Sequence, residues 1–514
     1  MPTKKEEKVP VESTEKQEKK FDTPKLLRGM KDVIPQEEGY WNTILDTARN
    51  LAESYSFGRL RMPVLESTKL FVRSVGKHTD IVEKEMYTFE DLDGEKITLR
   101  PEGTAQAVRA YITHGMLNQP QPVKLWYTGP MFRHERPQAG RYRQFHQVGF
   151  EVIGGEEAAV DAMLINIAYR IIKESGVDTI IHINSIGCRD CRPLYVEELV
   201  AFYRTNRSKT CEDCKRRLTK NPLRVLDCKQ EGCQEVKQGA PQIVDKLCEG
   251  CRKHFTQVLE YCDELGIPYS LNPFLVRGLD YYARTVFECM PAIEDEDGPA
   301  QSAFGGGGRY DYLVEYMGGR QAPAAGFAHG IERIVGEMRR KNVTMAREKR
   351  PQVFVAQLGD LARKKAMALF EEFRAGGFRV REHFAKSALS EQMKVADKCK
   401  APFAVIVGQR EVMEGTVIVR DMDSRIQEIV DRNKVLQIIE KKLAVKEAEV
   451  GSLEYMPESK NEEVMTEEEE KKQGNRERFE ATDFDEDEEE PVFKAEEEDA
   501  EVPTPERLEE EEEV

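Results

Sequence analysis

Side chains that could hold a charged small molecule are concentrated in one segment of the chain. On a strand, the residues of one face recur at every second position, so Gln147, Gly149 and Glu151 would face the same way. Because the middle residue has no side chain, a small molecule could lie across it, between an amide and a carboxylate. Arg133 and Glu135 share a face in the same way and could bring a cation and an anion close to that floor.

Two strands and a turn are needed to position these residues. Residues 124–133 and 143–153 are β-like and flank a loop rich in Arg, Gln and Gly, which predicts an antiparallel hairpin with a long basic tip. A hairpin that only packed against a core would alternate apolar and polar residues, whereas this one carries charge on both faces. A solvated edge hairpin with a basic tip is the structural alternative.

The residues of this hairpin also resemble a known family. FRxE, a basic loop and a Gln-x-Gly-x-Glu return strand are similar to motif 2 of the class II aminoacyl-tRNA synthetases, and HERPQxGRYRQFHQ resembles the histidyl enzymes in particular. The resemblance implies that Arg133 contacts the α-phosphate of ATP. It also gives candidates for contacting the acceptor end of a tRNA: Gln138, Arg141 and Arg143. Ala139 departs from the pattern, since a polar or basic residue is expected there.

RPEGT, at residues 100–104, is a second candidate binding segment. A strand ends at its Pro and a helix begins near Thr104, which leaves backbone N–H groups free for an anion. Glu102 and Thr104 offer a carboxylate and a hydroxyl suited to an α-ammonium group, and helix capping by Thr104 is the alternative. The histidyl family binds its amino acid at the same RPEGT, which implies a set of ligands for the histidine: Glu102, Gly103, Thr104 and Gln147.

LVRGLDYY, at residues 275–282, is a third such segment. A Gly beside Arg277 lets its guanidinium approach a phosphate, while Tyr281 and Tyr282 supply a flat wall and hydroxyls for a ring with N–H groups. LVRGLDYYxRTVFE is similar to the signature of the histidyl enzymes. The resemblance implies that Arg277 and Arg133 clamp the α-phosphate from two sides, the second Arg replacing a metal ion.

The resemblance also implies how the imidazole of histidine is held. Glu151 would accept one ring N–H, and Tyr281 or Tyr282 would satisfy the other nitrogen. A site that pairs both nitrogens rejects analogues that lack them, because its own polar groups would be left unpaired.

Glycines 305–308 and a helix that begins near Gly330 form the last of these segments. Glycines let the backbone pass close to a ligand, and Arg333 would lie one turn into the helix, pointing at an anion. This is similar to motif 3 of the class II synthetases. It implies that Arg333 holds the outer phosphates of ATP, which Mg²⁺ accompanies. A dinucleotide-binding loop fits poorly because its order is strand, glycines, helix; His329 is expected to pack.

Eleven cysteines point to thiols or metal rather than disulfides in a chain expected to be cytoplasmic. Eight form close pairs, CRDC, CEDC, CKQEGC and CEGC, and could hold two tetrahedral zinc ions. The candidates for structural zinc are Cys188, Cys191, Cys211, Cys214, Cys248 and Cys251. Reduced thiols buried in a helical module are the alternative, since this insertion folds without such cysteines in many family members. A catalytic metal is not expected.

Charge and hydropathy bound the class of protein. Residues 451–514 carry 28 acidic and 7 basic side chains, so the remainder is slightly basic although the chain of 514 residues has a net charge of −17. There is no run of about eighteen apolar residues and the N-terminus is charged, so neither a membrane span nor a secretory signal is expected.

The fold expected is α+β, with a class II synthetase-type antiparallel sheet in the catalytic domain and a C-terminal α/β anticodon-binding domain. Residues 25–345 would form the first, with a Cys-rich helical insertion at about 184–255, and residues 350–443 the second, with a mixed sheet. A helix at about 37–55 and a strand at 58–62 resemble motif 1, which implies a homodimer. The predicted disordered segments are an N-terminal extension, 1–24, and an acidic tail, 447–514, which solvates the protein or binds a partner.

The resemblance, over about residues 26–442, implies a histidine–tRNA ligase reaction. Histidine and ATP would give histidyl-adenylate and pyrophosphate, and the histidyl group would then pass to tRNA(His). A non-catalytic paralogue, acting as a regulatory subunit of histidine biosynthesis or a tRNA sensor, tends to lose motif residues or the C-terminal domain, and both are present here. A generic RNA-binding zinc protein would leave the arginine motifs unexplained.

Overall fold

The computed structural model describes residues 24–77, 79–136, 140–292, 303–345 and 350–453. Its chain separates into two compact units between Arg350 and Pro351. Residues 1–23 and 454–514, which make up most of the two segments predicted to be disordered, lie outside the described residues. None of the helices in the described ranges has the length and hydrophobicity that crossing a bilayer requires.

The first unit is mixed in its secondary structure. Its described helices are α1 Glu38–Ser54, α2 Thr68–Val75, α3 Thr104–Thr113, α4 Ala158–Glu174, α5 Arg192–Thr205, α6 Glu212–Lys220, α7 Glu231–Gln238, α8 Glu249–Glu264, α9 Leu313–Tyr316 and α10 Ile331–Arg340. Its described strands are β1 Gly58–Arg59, β2 Leu65–Ser67, β3 Thr88–Glu90, β4 Lys96–Leu99, β5 Val123–Phe132, β6 Gln144–Ile153, β7 Thr179–Ser185, β8 Tyr269–Leu271, β9 Ala283–Pro291, β10 Gly305–Arg309 and β11 Ala324–Gly330.

An eight-stranded sheet dominates this unit, in the order β1-β5-β6-β11-β10-β9-β7-β8. Its neighbours are antiparallel except at the two edges, where β1 runs parallel to β5 and β8 parallel to β7. The predicted hairpin is confirmed: β5 and β6 pair without a break from Val123 opposite Ile153 to Phe132 opposite Gln144. A smaller sheet has the order β2-β4-β3.

The strand predicted at 58–62 is shorter in the structure, where β1 ends at Arg59. The backbone N–H of Leu60 still donates to the carbonyl of Trp126, at 2.8 Å. Pairing stops before Pro63, because proline has no N–H to donate and restricts the residue before it. The chain then enters the small sheet.

One face of the large sheet packs against helices. Val148, Phe150 and Val152 alternate along β6 and are fully buried in a core shared with α1, α4, α8 and α10. The ring of Phe150 stacks on that of Phe327, with 5.3 Å between centroids. Alternation on a strand sends Gln147, Gly149 and Glu151 to the opposite face.

The segment between β7 and β8 is the helical insertion that was expected in this region, and it contains α5 to α8. Most of its buried residues, six cysteines among them, join a second core with residues of β5, β9 and α3, and the half-buried Cys211 and Cys248 pack against that core. The insertion is therefore packed on the large sheet rather than separate from it.

The second unit has a five-stranded mixed sheet with helices on both faces. Its described elements are β12 Val353–Leu358, α11 Asp360–Ala375, β13 Val380–Glu382, α12 Leu389–Lys398, β14 Phe403–Gly408, α13 Gln409–Glu414, β15 Thr416–Asp421, β16 Gln427–Asp431 and α14 Val435–Leu453. The sheet order is β13-β12-β14-β15-β16, with β12 parallel to both neighbours and the other pairs antiparallel. The mixed sheet is confirmed; β16 and α13 were not predicted.

The acidic tail was predicted to begin at 447, but α14 continues to Leu453. Its last turns contain Ala, Glu and Lys, which are strong helix formers. Lys446 also holds the helix to the β15–β16 turn, through ion pairs with Asp421 at 3.0 Å and Asp423 at 2.5 Å. The first seven residues of the predicted tail are therefore helical.

Replacing Phe150 by Ala should lower the free energy of unfolding of the first unit by about 3–5 kcal/mol, because a cavity replaces the stacked ring. Both tryptophans of the chain, Trp41 and Trp126, lie in this unit, so tryptophan fluorescence in urea reports on it alone. Phe89→Ala is the control, since Phe89 is 46% exposed and should change stability by less than about 0.5 kcal/mol. Equal effects of the two substitutions would contradict the proposed core.

Candidate active site

The floor of the candidate site is a row of small residues across the middle strands of the large sheet. Gly149 of β6 pairs with Ala328 of β11, which pairs with Gly306 of β10. Tyr127 of β5 lies opposite Gly149. A Cβ atom at Gly149 would be 2.3 Å from Cζ of Tyr127, so the glycine is needed for the tyrosine to lie there. The space that we assigned to a ligand beside Gly149 is therefore filled by the ring of Tyr127.

Glu151 forms the centre of a buried polar network beside this floor. Its side chain is inaccessible to solvent. Oε1 accepts hydrogen bonds from the hydroxyls of Thr104, at 2.8 Å, and Tyr127, at 3.1 Å, while Oε2 accepts one from Tyr310, at 2.6 Å. Burial raises the pKa of Glu151 to about 8, although the hydroxyl donors oppose that shift. A Cβ atom at Gly326 would overlap Oε2, which explains the glycine there.

Glu102 caps helix α3 instead of Thr104. Its carboxylate accepts the backbone N–H groups of Thr104, at 2.8 Å, and Ala105, at 2.7 Å. The alternative in which Thr104 caps the helix is wrong, because its hydroxyl points to Glu151. Tyr281 donates to Glu102 at 3.4 Å, and burial raises the pKa of this carboxyl. Gly103 makes room for Tyr127, since a Cβ there would lie 2.3 Å from its ring.

Arg277, the third residue of LVRGLDYY, lies over Gly306 of the floor. It forms an ion pair with Glu288, and its guanidinium lies 5.5 Å from the ring centroid of Tyr282. Gly306 permits this position, because a Cβ there would be 2.9 Å from Nη1 of Arg277. Nε of Arg277 and Oε1 of Gln147 are both buried and have no hydrogen-bond partner among the described residues. Two such groups at one site provide a donor and an acceptor for a ligand.

A second group of cations lies at the hairpin side. Nε of Arg133 donates to the carbonyl of Pro101 at 2.9 Å, and its Nη1 lies 3.8 Å from Glu135. The same carboxylate lies 3.8 Å from Arg141. Arg333 of α10 donates to the carbonyl of Ala303 at 2.5 Å. Burial lowers the pKa of Arg333, and its neighbours Arg141 and Arg133 lower it further. An anion bound among these guanidiniums would relieve their repulsion.

The remaining residues predicted for tRNA differ in their placement. The stem of Arg143 packs on Gly29, where a Cβ would lie 2.8 Å from Cγ of Arg143, and its backbone N–H donates to the carbonyl of Gly29 at 2.7 Å. Arg143 thus holds the N-terminal segment to the hairpin. Gln138 lies outside the described residues.

His329 packs, as expected. It is fully buried on β11, where Nε2 lies 3.0 Å from the carbonyl of Ala168. Burial lowers its pKa to about 4, so the ring is neutral at physiological pH.

The cysteine pairs of the insertion meet in two groups of four. One contains Cys188, Cys191, Cys248 and Cys251, and the other contains Cys211, Cys214, Cys228 and Cys233. All eleven cysteines are free thiols in the structure.

Comparison with known proteins identifies the family of this chain. The family model described as histidyl-tRNA synthetase matches residues 29–187 and 201–334, and that of an anticodon binding domain matches residues 352–442. The chain belongs to the histidyl-tRNA synthetase family. This assignment accounts for the four sequence segments that meet at the floor.

Relatives match nearly along their whole length. The chain is 45% identical over 417 residues to the histidine–tRNA ligase of Dehalococcoides mccartyi strain 195, covering 81% of this chain and 99% of that protein. It is also 45% identical to that of Desulforamulus reducens, covering 80% and 98%. The crystal structure of apo Staphylococcus aureus histidyl-tRNA synthetase is similar with a TM-score of 0.68 and 34% identity, covering 81% of this chain and all of that one.

Two members of the polar network, Tyr127 and Tyr310, were not predicted. Tyr127 could have been found from the hairpin alone, because the register that places Phe132 opposite Gln144 also places Tyr127 opposite Gly149. Tyr310 follows the glycines of β10 and reaches Glu151 only because β10 and β6 both flank β11. No local pattern in the sequence carries that information.

Glu151 should make the stability of the first unit depend on pH. Its pKa rises from 4.5 when unfolded to about 8 when folded, so its protonated form contributes stability that is complete below pH 4.5 and lost as the pH rises through 8. The melting temperature of Glu151→Gln, relative to the parent, should therefore increase between pH 5 and pH 8. Glu260→Gln, at an exposed position of α8, should give a difference that does not change with pH. A constant difference for Glu151→Gln would contradict the raised pKa.

Proposed function

We propose that this member of the histidyl-tRNA synthetase family activates histidine with ATP and transfers it to tRNA(His) through the residues of the glycine-lined site. The observation that carries the proposal is that three guanidiniums, of Arg133, Arg277 and Arg333, lie around a floor that also holds two buried carboxyls. Glu288 interacts with two of these arginines, since it forms an ion pair with Arg277 and its charge partly offsets the burial that lowers the pKa of Arg333. Cations and carboxyls in one place suit an anionic nucleotide and a zwitterionic amino acid.

The activation step is the attack of the histidine carboxylate on the α-phosphorus of ATP. A bond forms from a carboxylate oxygen to phosphorus, the bond to the bridging oxygen breaks, and pyrophosphate leaves. Arg133 and Arg277 clamp the α-phosphate from two sides and stabilise the charge that builds on its oxygens. Arg333 holds the outer phosphates, and Mg²⁺ accompanies ATP there. The free Nε of Arg277 is a donor suited to a phosphate oxygen.

The ammonium group of histidine binds between Glu102, Thr104 and Gln147. The unpartnered Oε1 of Gln147 can accept one ammonium N–H. Glu102 uses one lone pair on each oxygen for the cap of α3 and accepts from Tyr281 at Oε2, which leaves one lone pair on Oε1 for a ligand. The hydroxyl of Thr104 donates to Glu151, so its own oxygen is oriented to accept.

The imidazole of histidine lies against Tyr281 and Tyr282, with Glu151 beneath. Three hydroxyls already donate to Glu151, and a carboxylate has about four acceptor positions, so one position is left for a ring N–H. The rings of Tyr281 and Tyr282, whose centroids are 4.6 Å apart, give the ring a wall. A ligand without this N–H would leave that one acceptor position of the buried carboxyl unpaired, which accounts for selectivity.

The tRNA contacts and assembly are also proposals. Arg141, at the tip of the hairpin, contacts the acceptor end, and the second unit reads the anticodon of tRNA(His). The chain forms a homodimer through the α1–β1 region and works in the cytoplasm. Exposed Val64 and Leu65, just after β1, support a contact surface there.

Arg277→Ala should lower kcat/KM for histidine-dependent ATP–pyrophosphate exchange by about 10²–10³, because it removes a group that contacts the reacting phosphate. The matched control is Arg374→Ala, an exposed arginine of α11, which should keep parental activity. Exchange must also be specific for histidine among the amino acids.

Two outcomes would overturn the proposal. Parental exchange in Arg277→Ala would remove Arg277 from the site. A folded parent that binds histidine without exchange would instead favour a regulatory paralogue, and the two results are distinguished by isothermal titration with histidine.

A further inference from the structure

The eight grouped cysteines have the spacing that four thiolates take around one metal ion. Tetrahedral zinc with Zn–S bonds of about 2.3 Å separates its sulfurs by roughly 3.8 Å. The Sγ atoms of Cys188 and Cys191 are 3.7 Å apart, those of Cys188 and Cys248 are 3.8 Å apart, and those of Cys211 and Cys228 are 3.8 Å apart. Within each group every pair lies within 4.8 Å. A disulfide needs about 2 Å, so the sulfurs are not bonded to each other.

The backbone around the cysteines favours thiolates. The N–H of Asp190 donates to Sγ of Cys188 at 3.4 Å, and that of Cys211 donates to Sγ of Cys233 at 3.2 Å. Cys248 directly precedes α8, where the positive end of the helix dipole stabilises negative charge. These backbone groups are placed to stabilise the negative charge of a metal-bound thiolate.

Packing alone gives the middle of the insertion little stability. Helix α6 buries only Cys214, and α7 buries only Cys233 and Val236. Segments with so small a core are commonly stabilised by a structural metal. The isolated cysteines Cys262 and Cys289 differ, because they are buried among apolar residues of the main core.

We propose that the insertion binds two structural zinc ions. The outer pairs of the insertion, Cys188–Cys191 and Cys248–Cys251, hold the first ion. This ion therefore joins the beginning of the insertion to its end. The inner pairs, Cys211–Cys214 and Cys228 with Cys233, hold the second. The nested order leaves both ions with four sulfur ligands and no open position, which is the pattern of structural sites.

The two ions also hold the loop that carries Arg277, and this step rests on the proposed function. Beside the outer ion, Arg192 follows Cys191 and donates to the carbonyl of Tyr282 at 2.7 Å. Within the inner site, Asn221 lies between its two cysteine pairs and donates to Asp280 at 2.5 Å. Both contacts reach the segment 277–282, so zinc positions catalytic residues from outside the active site.

Metal analysis of the reduced, full-length protein tests the two sites directly. Mass spectrometry of the metal content should give two zinc ions per chain. Cys211→Ser with Cys214→Ser should leave one, and so should Cys188→Ser with Cys191→Ser. Cys399→Ser, the isolated cysteine of the second unit, should keep two.

If the cysteine variants fail to fold, a measurement on the parent protein alone still tests the two sites. Release of zinc by a mercurial reagent, followed with a chromogenic chelator, should give two equivalents. Reconstitution with Co²⁺ should give the absorption bands of tetrahedral thiolate coordination and saturate at two equivalents. A folded parent with no bound metal and eleven titratable thiols, or with disulfides in the insertion, would overturn the proposal.

Asn221→Ala separates the positioning role from the metal sites. It should lower kcat for pyrophosphate exchange by about tenfold, because a hydrogen bond to a charged group is lost, while zinc content and the KM for histidine stay unchanged. Asn221→Gln, which keeps an amide donor, should recover part of the rate. Two zinc ions with parental kcat in Asn221→Ala would overturn the positioning role and leave the metal sites intact. Loss of activity in the parent itself would count against the proposed function instead.

Discussion

The active site depends on one buried carboxyl at the centre of the large sheet. Glu151 is surrounded by the hydroxyls of Thr104, Tyr127 and Tyr310, which come from three different parts of the chain. An isolated buried carboxylate is very unfavourable, so these donors are what make its position tolerable. Each donor must approach the carboxyl closely. Gly149 leaves the space that Tyr127 occupies, and Gly326 leaves the space that Glu151 occupies. These two glycines are therefore required by the hydrogen-bond network around Glu151.

The arginines form a second layer above this network. Arg277 and Arg133 are held by Glu288 and Glu135, so their charges are partly balanced before any nucleotide arrives. Burial lowers the pKa of Arg333 and the charges of Arg141 and Arg133 lower it further, so positive charge is crowded here. A bound polyanion would remove this excess of positive charge. Its interaction with the arginines would strengthen in the transition state, as negative charge moves to the leaving pyrophosphate.

The insertion supports this layer from the side. Its segments reach the loop at 277–282 through Arg192 and Asn221, while its middle helices, α6 and α7, bury few apolar residues. A module of this kind needs an internal constraint if it is to hold another loop in place. The two proposed zinc ions would provide that constraint, one held by cysteines next to Arg192 and the other by the cysteine pairs on either side of Asn221 in the sequence.

The sequence by itself determined most of the local elements and predicted most of the residues of the candidate site. The hairpin and the helix that carries Arg333 followed from periodicity and glycine placement, and the motif segments named nearly all side chains that meet at the floor. Only the tertiary structure decided that Glu102 caps α3, that Tyr310 reaches Glu151, and how eight cysteines divide into two groups. The physical reason is that periodicity reports on neighbours along one strand or helix. Contacts such as Tyr310 with Glu151 depend on the order of strands in the sheet, which no local pattern contains.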